Sequence, residues 1–381
     1  MSYTVLARRY RSRSFDEVVG QEEIARTLQR AVEQGKTAHA YLFVGTRGVG
    51  KTSTARVLAK ALNCPNDEPP EVAQAIMQGR DTDVVEIDAA SNRGVDEARS
   101  LIANASIRPL RGRYKIYIID EVHMLTREAA NALLKTMEEP PEHVKFILCT
   151  TEAHKVPATI QSRCQRFDFR AIPAKRIAAH LQHVLEQEGV EAEEEVVLRV
   201  AEMGAGSMRD ALSLLDRLLA SREEGQRLTM RRLRDLLGLP PDELVADLLA
   251  ACLDGDQARA LQLGRELLAQ GLDVEQALHA VAQEVRDVMA LALAPDDEEL
   301  TPRAGERRSR ALQLAERLEP SLASHMIALC DAVALRARNS AIAAALFDVA
   351  MVRLASTGRL ATAAALLQGE DAARGSPRKK G

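Results

Sequence analysis

The chain has 381 residues, 46% hydrophobic and 28% charged, with a net charge of −4, no tryptophan and 3% aromatics. That length holds two or three domains with cores of their own, and with so few aromatics those cores must be built from Leu, Val, Ile and Ala, which favours helices. The charge excludes a global basic field for nucleic acid, so any such binding rests on a local patch or on helix N-termini.

The opening MSYTVLARRY has no apolar h-region, so no signal peptide is expected. No stretch approaches the ~18 consecutive apolar residues of a membrane span. Five cysteines (Cys64, Cys149, Cys164, Cys252, Cys330) are scattered without a C-x-x-C pair, against a disulfide framework or a zinc ribbon. A cytoplasmic protein is the simplest expectation.

Short apolar runs of β type occur at 40–45 (AYLFVG), 84–89, 115–121 (KIYIIDE), 145–151 (KFILCTT) and 164–169 (CQRFDF). Helical patterns at 51–62, 95–105 and 127–139 separate them. Strands alternating with helices predict a parallel, doubly wound sheet, with strands apolar on both sides. After Arg170 the β signal disappears: 171–221 reads as a few short helices, and 222–366 as long amphipathic helices broken at 238–243, 271–273 and 294–300. The predicted units are an α/β domain (1–170), a small helical domain (171–221) and a larger helical domain (222–367). The polar tail 368–381 is expected to be disordered.

The strongest motif is GTRGVGKT, followed by Ser53: Gly45, Thr46, Arg47, Gly48, Val49, Gly50, Lys51 and Thr52. It follows a strand and opens a helix, the context of a phosphate-binding loop. Glycines let backbone N–H groups converge on phosphate oxygens, and the helix N-terminus adds a favourable dipole. Lys51 would reach the β- and γ-phosphates of a nucleotide, and the Thr52 hydroxyl would bind Mg²⁺. The run KIYIIDEVH ends in two carboxylates. Asp120 is expected to hold Mg²⁺ through water, and Glu121 to orient or deprotonate the attacking water. KFILCTT would lie beside that strand, with Thr151 as the water-positioning group. A strand-end threonine chosen only for β propensity is the alternative.

TIQSRC (159–164) admits several readings. A metal at Cys164 finds no ligand spacing with Cys149, His143 or His154. A redox thiol needs a partner or an electropositive setting. Arg163 is then either an ordinary solvated arginine or an arginine finger delivered to a neighbour's γ-phosphate. Spacing alone does not choose.

Taken together, ARRYR…SFDEVVGQ (7–21), GTRGVGKT, IDAAS (87–91), IDEVHML (119–125), ALLKTMEEPPEHVKFI (132–147), SRCQRF (162–167) and GSMRDALSL (206–214) closely resemble the gamma/tau family of bacterial DNA polymerase III. Those are AAA+ ATPases of the replicative clamp loader. The resemblance runs through about residue 221; beyond it only helical character and lengths agree, as for that family's oligomerisation collar. It implies a P-loop AAA+ domain with a five-stranded parallel sheet, an all-α lid and an all-α collar. It implies Arg163 as the residue acting in trans, and Arg209 as the γ-phosphate contact within its own subunit. It implies that Ala7, Arg8, Val18 and Val19 pack around adenine. Arg93 and Arg99 are the nearest basic candidates for duplex DNA, with solvated helix charges as the equal alternative; such contacts would reach phosphates only.

The implied partners are delta-like and delta-prime-like subunits and further copies of this chain in a pentameric ring, a sliding clamp, and primer–template DNA, with no membrane. Two departures stand out. Most relatives carry a four-cysteine zinc module where this chain has NCPNDEPPEVAQAIMQGRDTD (63–83) with Cys64 alone, so no zinc is expected. The chain also stops near 381, which suggests a short gamma-type form or a truncated one. The family's Arg-Pro after the early tyrosine is Arg11-Ser12 here, a minor change. Another AAA+ DNA motor, such as a branch-migration helicase, would need a C-terminal winged-helix or β-hairpin reader, and 222–366 is helical. A non-catalytic scaffold would be expected to lose Lys51 or the carboxylates, and all are present. Nothing in the chain resembles a polymerase palm.

Overall fold

The computed structural model describes residues 4–67, 69–91, 108–223, 225–297 and 305–357. Arg93, Arg99, the predicted helix 95–105 and the tail 368–381 lie outside the described residues. The chain divides into two compact units, Met1–Glu191 with Arg199–Ala220, and Ala192–Leu198 with Ser221–Gly381.

The first unit is built on five strands, β1 (Ala40–Val44), β2 (Val84–Asp88), β3 (Lys115–Asp120), β4 (Val144–Thr150) and β5 (Gln165–Asp168). All pair in parallel, in the order β2-β3-β4-β1-β5. Alternation in the apolar runs supplies two cores. Tyr41, Phe43, Ile116, Ile118, Ile147 and Cys149 face one side with Leu58 of the helix that follows β1. Leu42, Tyr117, Ile119, Phe146 and Leu148 face the other with Leu133. Every residue of β4 is buried, as a central strand covered on both faces requires. The expectation of strands apolar on both sides fails at β5. Gln165, Arg166 and Asp168 are exposed and only Phe167 is half-buried. An edge strand has one paired side and can carry charge at its margin; Arg166 pairs with Asp168 at 2.6 Å.

The register aligns the carboxyl ends of the strands. Val44 is level with Thr150 of β4 and Asp168 of β5, and Ile119 is level with Leu148. The first four α-helices are α1 (Leu6–Arg9), α2 (Glu22–Glu33), α3 (Lys51–Asn63) and α4 (Pro70–Gln78). Helix Arg127–Glu138 carries the buried Leu133, and helices Ala174–Gln187 and Met208–Ala220 follow, the first burying Ile177, Leu181 and Val184 and the second Ala211, Leu212 and Leu215. The N-terminal segment is fastened to them by the buried Leu6, whose N–H donates to Asp216 at 3.3 Å.

The second unit is helical, with helices Met230–Leu237, Asp242–Asp254, Gln257–Ala269, Val274–Leu293, Gly305–Ala315 and Pro320–Ala337, then 343–357. Its core is aliphatic, with Leu248, Leu249, Val281, Val285, Phe347 and Met351 fully or nearly fully buried. Caps mark two of the predicted breaks. Gly238 ends a helix in the left-handed region, and Asp273 starts Val274–Leu293 with a full capping box through Gln276. Among the described residues no single helix is long and apolar enough to cross a membrane.

Candidate nucleotide site

The loop after β1 runs into α3 with Gly50 as N-cap, in the left-handed region at φ 100°. Gly48 has φ +78°, and a Cβ there would stand 1.9 Å from Ser207 Oγ. The loop therefore lies directly on the turn that begins helix Met208–Ala220, and the Arg209 N–H reaches the Gly48 carbonyl at 3.4 Å. Lys51 is the first residue of α3 and is 5% exposed. Its ammonium donates to the carbonyls of Gly45 at 2.6 Å and Thr46 at 2.8 Å. Burial pulls Lys51 below the usual lysine range, opposed by the nearby Cys149, Glu121 and Asp120.

Thr52 follows, and its hydroxyl donates to Asp120 Oδ2 at 2.7 Å. Burial pushes the Asp120 carboxyl up; the Thr52 hydrogen bond opposes this, and the Glu121 charge adds to it. A hydroxyl and a carboxylate are the hard oxygen donors that Mg²⁺ takes beside nucleotide phosphates. Glu121 stands in the left-handed region at φ 49° and ψ 48°, unusual for a glutamate. Such strain costs roughly 1–3 kcal/mol and collects at functional sites. Its Oε2 accepts from the N–H of Thr151 at 3.1 Å and from its hydroxyl at 2.9 Å. His123 braces the pair: Nδ1 is 2.9 Å from Thr150 Oγ1 and 3.3 Å from Glu121 Oε2, and Nε2 is 3.3 Å from Glu152.

Beside this polar end is a cleft lined by Ala7, Val18 and Val19, by the loop from Gly48 to Ser53, and by Arg209. These are sequence-predicted residues brought together from three separate segments. The apolar wall continues in Ile172, Met208 and Leu212, and Tyr10, Arg11, Ser12, Thr54 and His180 also line the cleft. The Thr54 hydroxyl is buried with no hydrogen-bond partner among the described residues. An apolar wall ending in a glycine-rich loop, a lysine and two hard oxygen donors fits a nucleotide with its magnesium ion.

Gly45, Thr46 and Arg47 do not line the cleft; Thr46 and Arg47 are exposed, and the first two supply the carbonyls that hold Lys51. Arg8 lines a different cavity. Arg163 also stands outside the cleft of its own chain. It follows the short helix Ala158–Gln161, donates to the Thr159 carbonyl at 2.8 Å and pairs with Glu138 at 2.9 Å. Burial pushes the neighbouring Cys164 thiol up to about 12, which keeps it a thiol at neutral pH and disfavours its redox and metal readings. Sequence reasoning missed Tyr10, Arg11, Ser12, Thr54, Ile172, His180, Met208 and Leu212. Met208 and Leu212 have i, i+4 spacing, a helix-face signal indistinguishable from core.

Sequence comparison accords with this geometry. The family model for "DNA polymerase III, delta subunit" matches residues 20–173. That for "DNA polymerase III clamp loader subunit, ATPase lid domain" matches 176–223, and that for "DNA polymerase III subunits gamma and tau domain III" matches 228–369. The chain is 43% identical over 301 residues to DNA polymerase III subunit tau of Escherichia coli, covering 77% of this chain and 46% of that one. It is 38% identical over 284 residues to DNA polymerase III subunit gamma of Buchnera aphidicola, covering 73% of this chain and 78% of that one. The chain belongs to the DNA polymerase III gamma/tau family.

This gamma/tau chain spans about half the length of the first curated relatives it matches. Among solved structures it is similar to the Thermotoga maritima RuvB Holliday junction branch migration motor, at 19% identity over 63% of this chain and 78% of that one, with a TM-score of 0.47. It is also similar to the Bacillus subtilis clamp loader delta protein, at 12% identity over 87% and 99% of the two chains, with a TM-score of 0.41.

Proposed function

We propose that this gamma/tau chain is an ATP-hydrolysing motor subunit of a replicative clamp loader, which places a sliding clamp on primer–template DNA. In this reading 1–170 is the ATPase domain, 171–221 the lid and 222–367 the collar that joins copies of the chain to delta-like and delta-prime-like subunits in a pentameric ring. The observation that carries the reading is the contact of Thr52 with Asp120, next to a Glu121 held by Thr151, in a chain of this family.

Each side chain has a task that its position supports. Gly48 to Gly50 present backbone N–H groups to phosphate, and Lys51 exchanges its two carbonyls for phosphate oxygens. Thr52 and Asp120 would hold Mg²⁺, which when bound neutralises charge on the β- and γ-phosphate oxygens. Glu121 takes the proton of the attacking water, a role worth roughly 10²–10⁴ in rate, and Thr151 fixes the direction of its carboxylate. Arg209 adjoins the loop through the Gly48 carbonyl, so a γ-phosphate contact there would be felt by helix Met208–Ala220. Ala7, Val18 and Val19, with Ile172 and Leu212, enclose the base.

Arg163, outside its own cleft and half-buried against Glu138, is suited to serve a neighbour's, and such a group contributes roughly 10³–10⁵ in rate. Hydrolysis would then depend on assembly.

The test is reconstitution with the partner subunits, the clamp and a circular primed template. ATP-dependent retention of clamp on the circle, lost with Lys51→Ala, is expected. Equal retention without this chain, or with Lys51→Ala, would refute the motor role.

A further inference from the structure

A cavity of about 610 Å³ opens between the N-terminal segment, the middle of α3 and helix α4. Its wall is strongly cationic. Three of its basic groups are already satisfied: Arg56 grips Glu86 with bonds of 2.6 and 2.8 Å, Lys60 pairs with Asp67 at 2.6 Å, and Arg9 pairs with Glu188. Four more, Arg8, Arg11, Arg13 and Arg80, have no carboxylate partner among the described residues. Asp67 is the one carboxylate in the lining among those residues. Arg11 carries the strain of this crowding: burial, then the charges of Arg56, Arg209 and Arg8, pull its guanidinium below the usual arginine range, with Glu86 opposing. Arg11 also lines the nucleotide cleft.

Four guanidinium groups lining one cavity with no ion-pair partner among the described residues are costly to hold together, and their planar forks match the oxygens of phosphate groups. The concave shape and volume fall in the range of small-molecule sites of 300–1,000 Å³. A duplex backbone would instead call for an extended basic stripe. We propose that this cavity is a second anion site, separate from the phosphate loop, for a small oligophosphate: an inorganic polyphosphate or a polyphosphorylated nucleoside. The site goes beyond the clamp-loader reading and does not rest on it.

The experiment is calorimetric titration of the full chain with inorganic tripolyphosphate. It is run on Lys51→Ala, which disables the phosphate loop, and on the parent saturated with a non-hydrolysable ATP analogue. Binding at one site in both preparations is expected. Arg13→Ala and Arg80→Ala, both exposed in the structure, should each weaken it by roughly tenfold, the loss of one charge-assisted contact. The exposed Arg26→Ala on α2 should leave it unchanged. Guanosine triphosphate on the Lys51→Ala chain separates the two sources. Tighter binding than tripolyphosphate identifies a nucleoside ligand, and equal or weaker binding an inorganic one. No binding once the phosphate loop is disabled or filled overturns the proposal. So does binding indifferent to Arg13 and Arg80. A short DNA duplex that binds more tightly through the same two arginines would overturn the small-ligand assignment.

Discussion

The Thr52 hydroxyl donates to Asp120 Oδ2 at 2.7 Å and so ties the start of α3 to the end of β3, across 68 positions of sequence. Strand β4 lies between β3 and β1 in the sheet, so this bond crosses over its carboxyl end, where Thr150 and Thr151 stand. One hydrogen bond thereby joins the loop that would hold phosphate, the carboxylates that would serve metal and water, and the threonine that steers Glu121.

Asp120 is held at a cost. Its folded pKa is raised by burial, so the folded state resists its ionisation. The penalty is absent below the unfolded value of about 3.9 and complete above the raised folded value. At neutral pH Asp120→Asn should therefore raise the melting temperature of the nucleotide-free chain, by about 1 kcal/mol in stability. The same change should lower ATP turnover at least about a hundredfold. Calorimetry and steady-state ATPase assays check the two halves.

Asp83 behaves in the opposite sense. Burial acts to raise its pKa, but the N–H groups of Gly112, Leu110 and Arg111, at 2.7–2.9 Å, and Lys115 outweigh it and leave it below the usual range. Its contribution is present above the unfolded pKa of about 3.9 and is lost as pH falls through the lower folded value. Asp83→Asn should destabilise the chain by about 2 kcal/mol at pH 7. That gap, read from denaturant midpoints, should close as pH falls below about 3.9 and through the lower folded value.

Gly48 and Gly35 both have positive φ, but only Gly48 has a neighbour where a Cβ would go. Gly48→Ala should weaken binding of a fluorescent ATP analogue by roughly tenfold or more, because the loop must leave Ser207. Gly35→Ala carries only the backbone strain, about 1 kcal/mol, and should bind the analogue normally. Equal affinities for the two variants would rule out a packing role for Gly48.

Glu121→Gln keeps an oxygen that can accept from Thr151 while losing the base. Analogue binding should persist, with turnover falling by roughly 10²–10⁴. Single-turnover kinetics separate this from slowed product release.

The strands were legible because buried parallel strands write themselves as apolar runs, and the phosphate loop because glycine, lysine and threonine sit at fixed offsets between a strand and a helix. AAA+ character and a helical second half followed from the resemblance and from helical periodicity. The polar face of β5 was hidden, since edge or centre is decided by pairing and not by composition. Tyr10 and His180 reach the cleft from segments 170 positions apart, and no local pattern foretells that. The left-handed backbone of Glu121 was equally unreadable, because glutamate gives no turn signal. The four readings of TIQSRC were narrowed by what only coordinates supply: a Cys164 thiol pushed up by burial and an Arg163 outside its own cleft.

Whether Arg163 of one copy completes the site of the next is tested most directly by complementation. Loader complexes are assembled from Arg163→Ala chains, from Lys51→Ala chains, and from an equal mixture, and ATPase rates are measured with clamp and primed DNA. Each single-variant complex should be nearly inactive, while ATP-analogue binding survives in Arg163→Ala. The mixture should recover a substantial part of the parent rate, at interfaces where an intact Lys51 meets a neighbour's intact Arg163. Full activity of the Arg163→Ala complex, or no recovery in a mixture shown to contain both variants in one assembly, would contradict a site shared between copies.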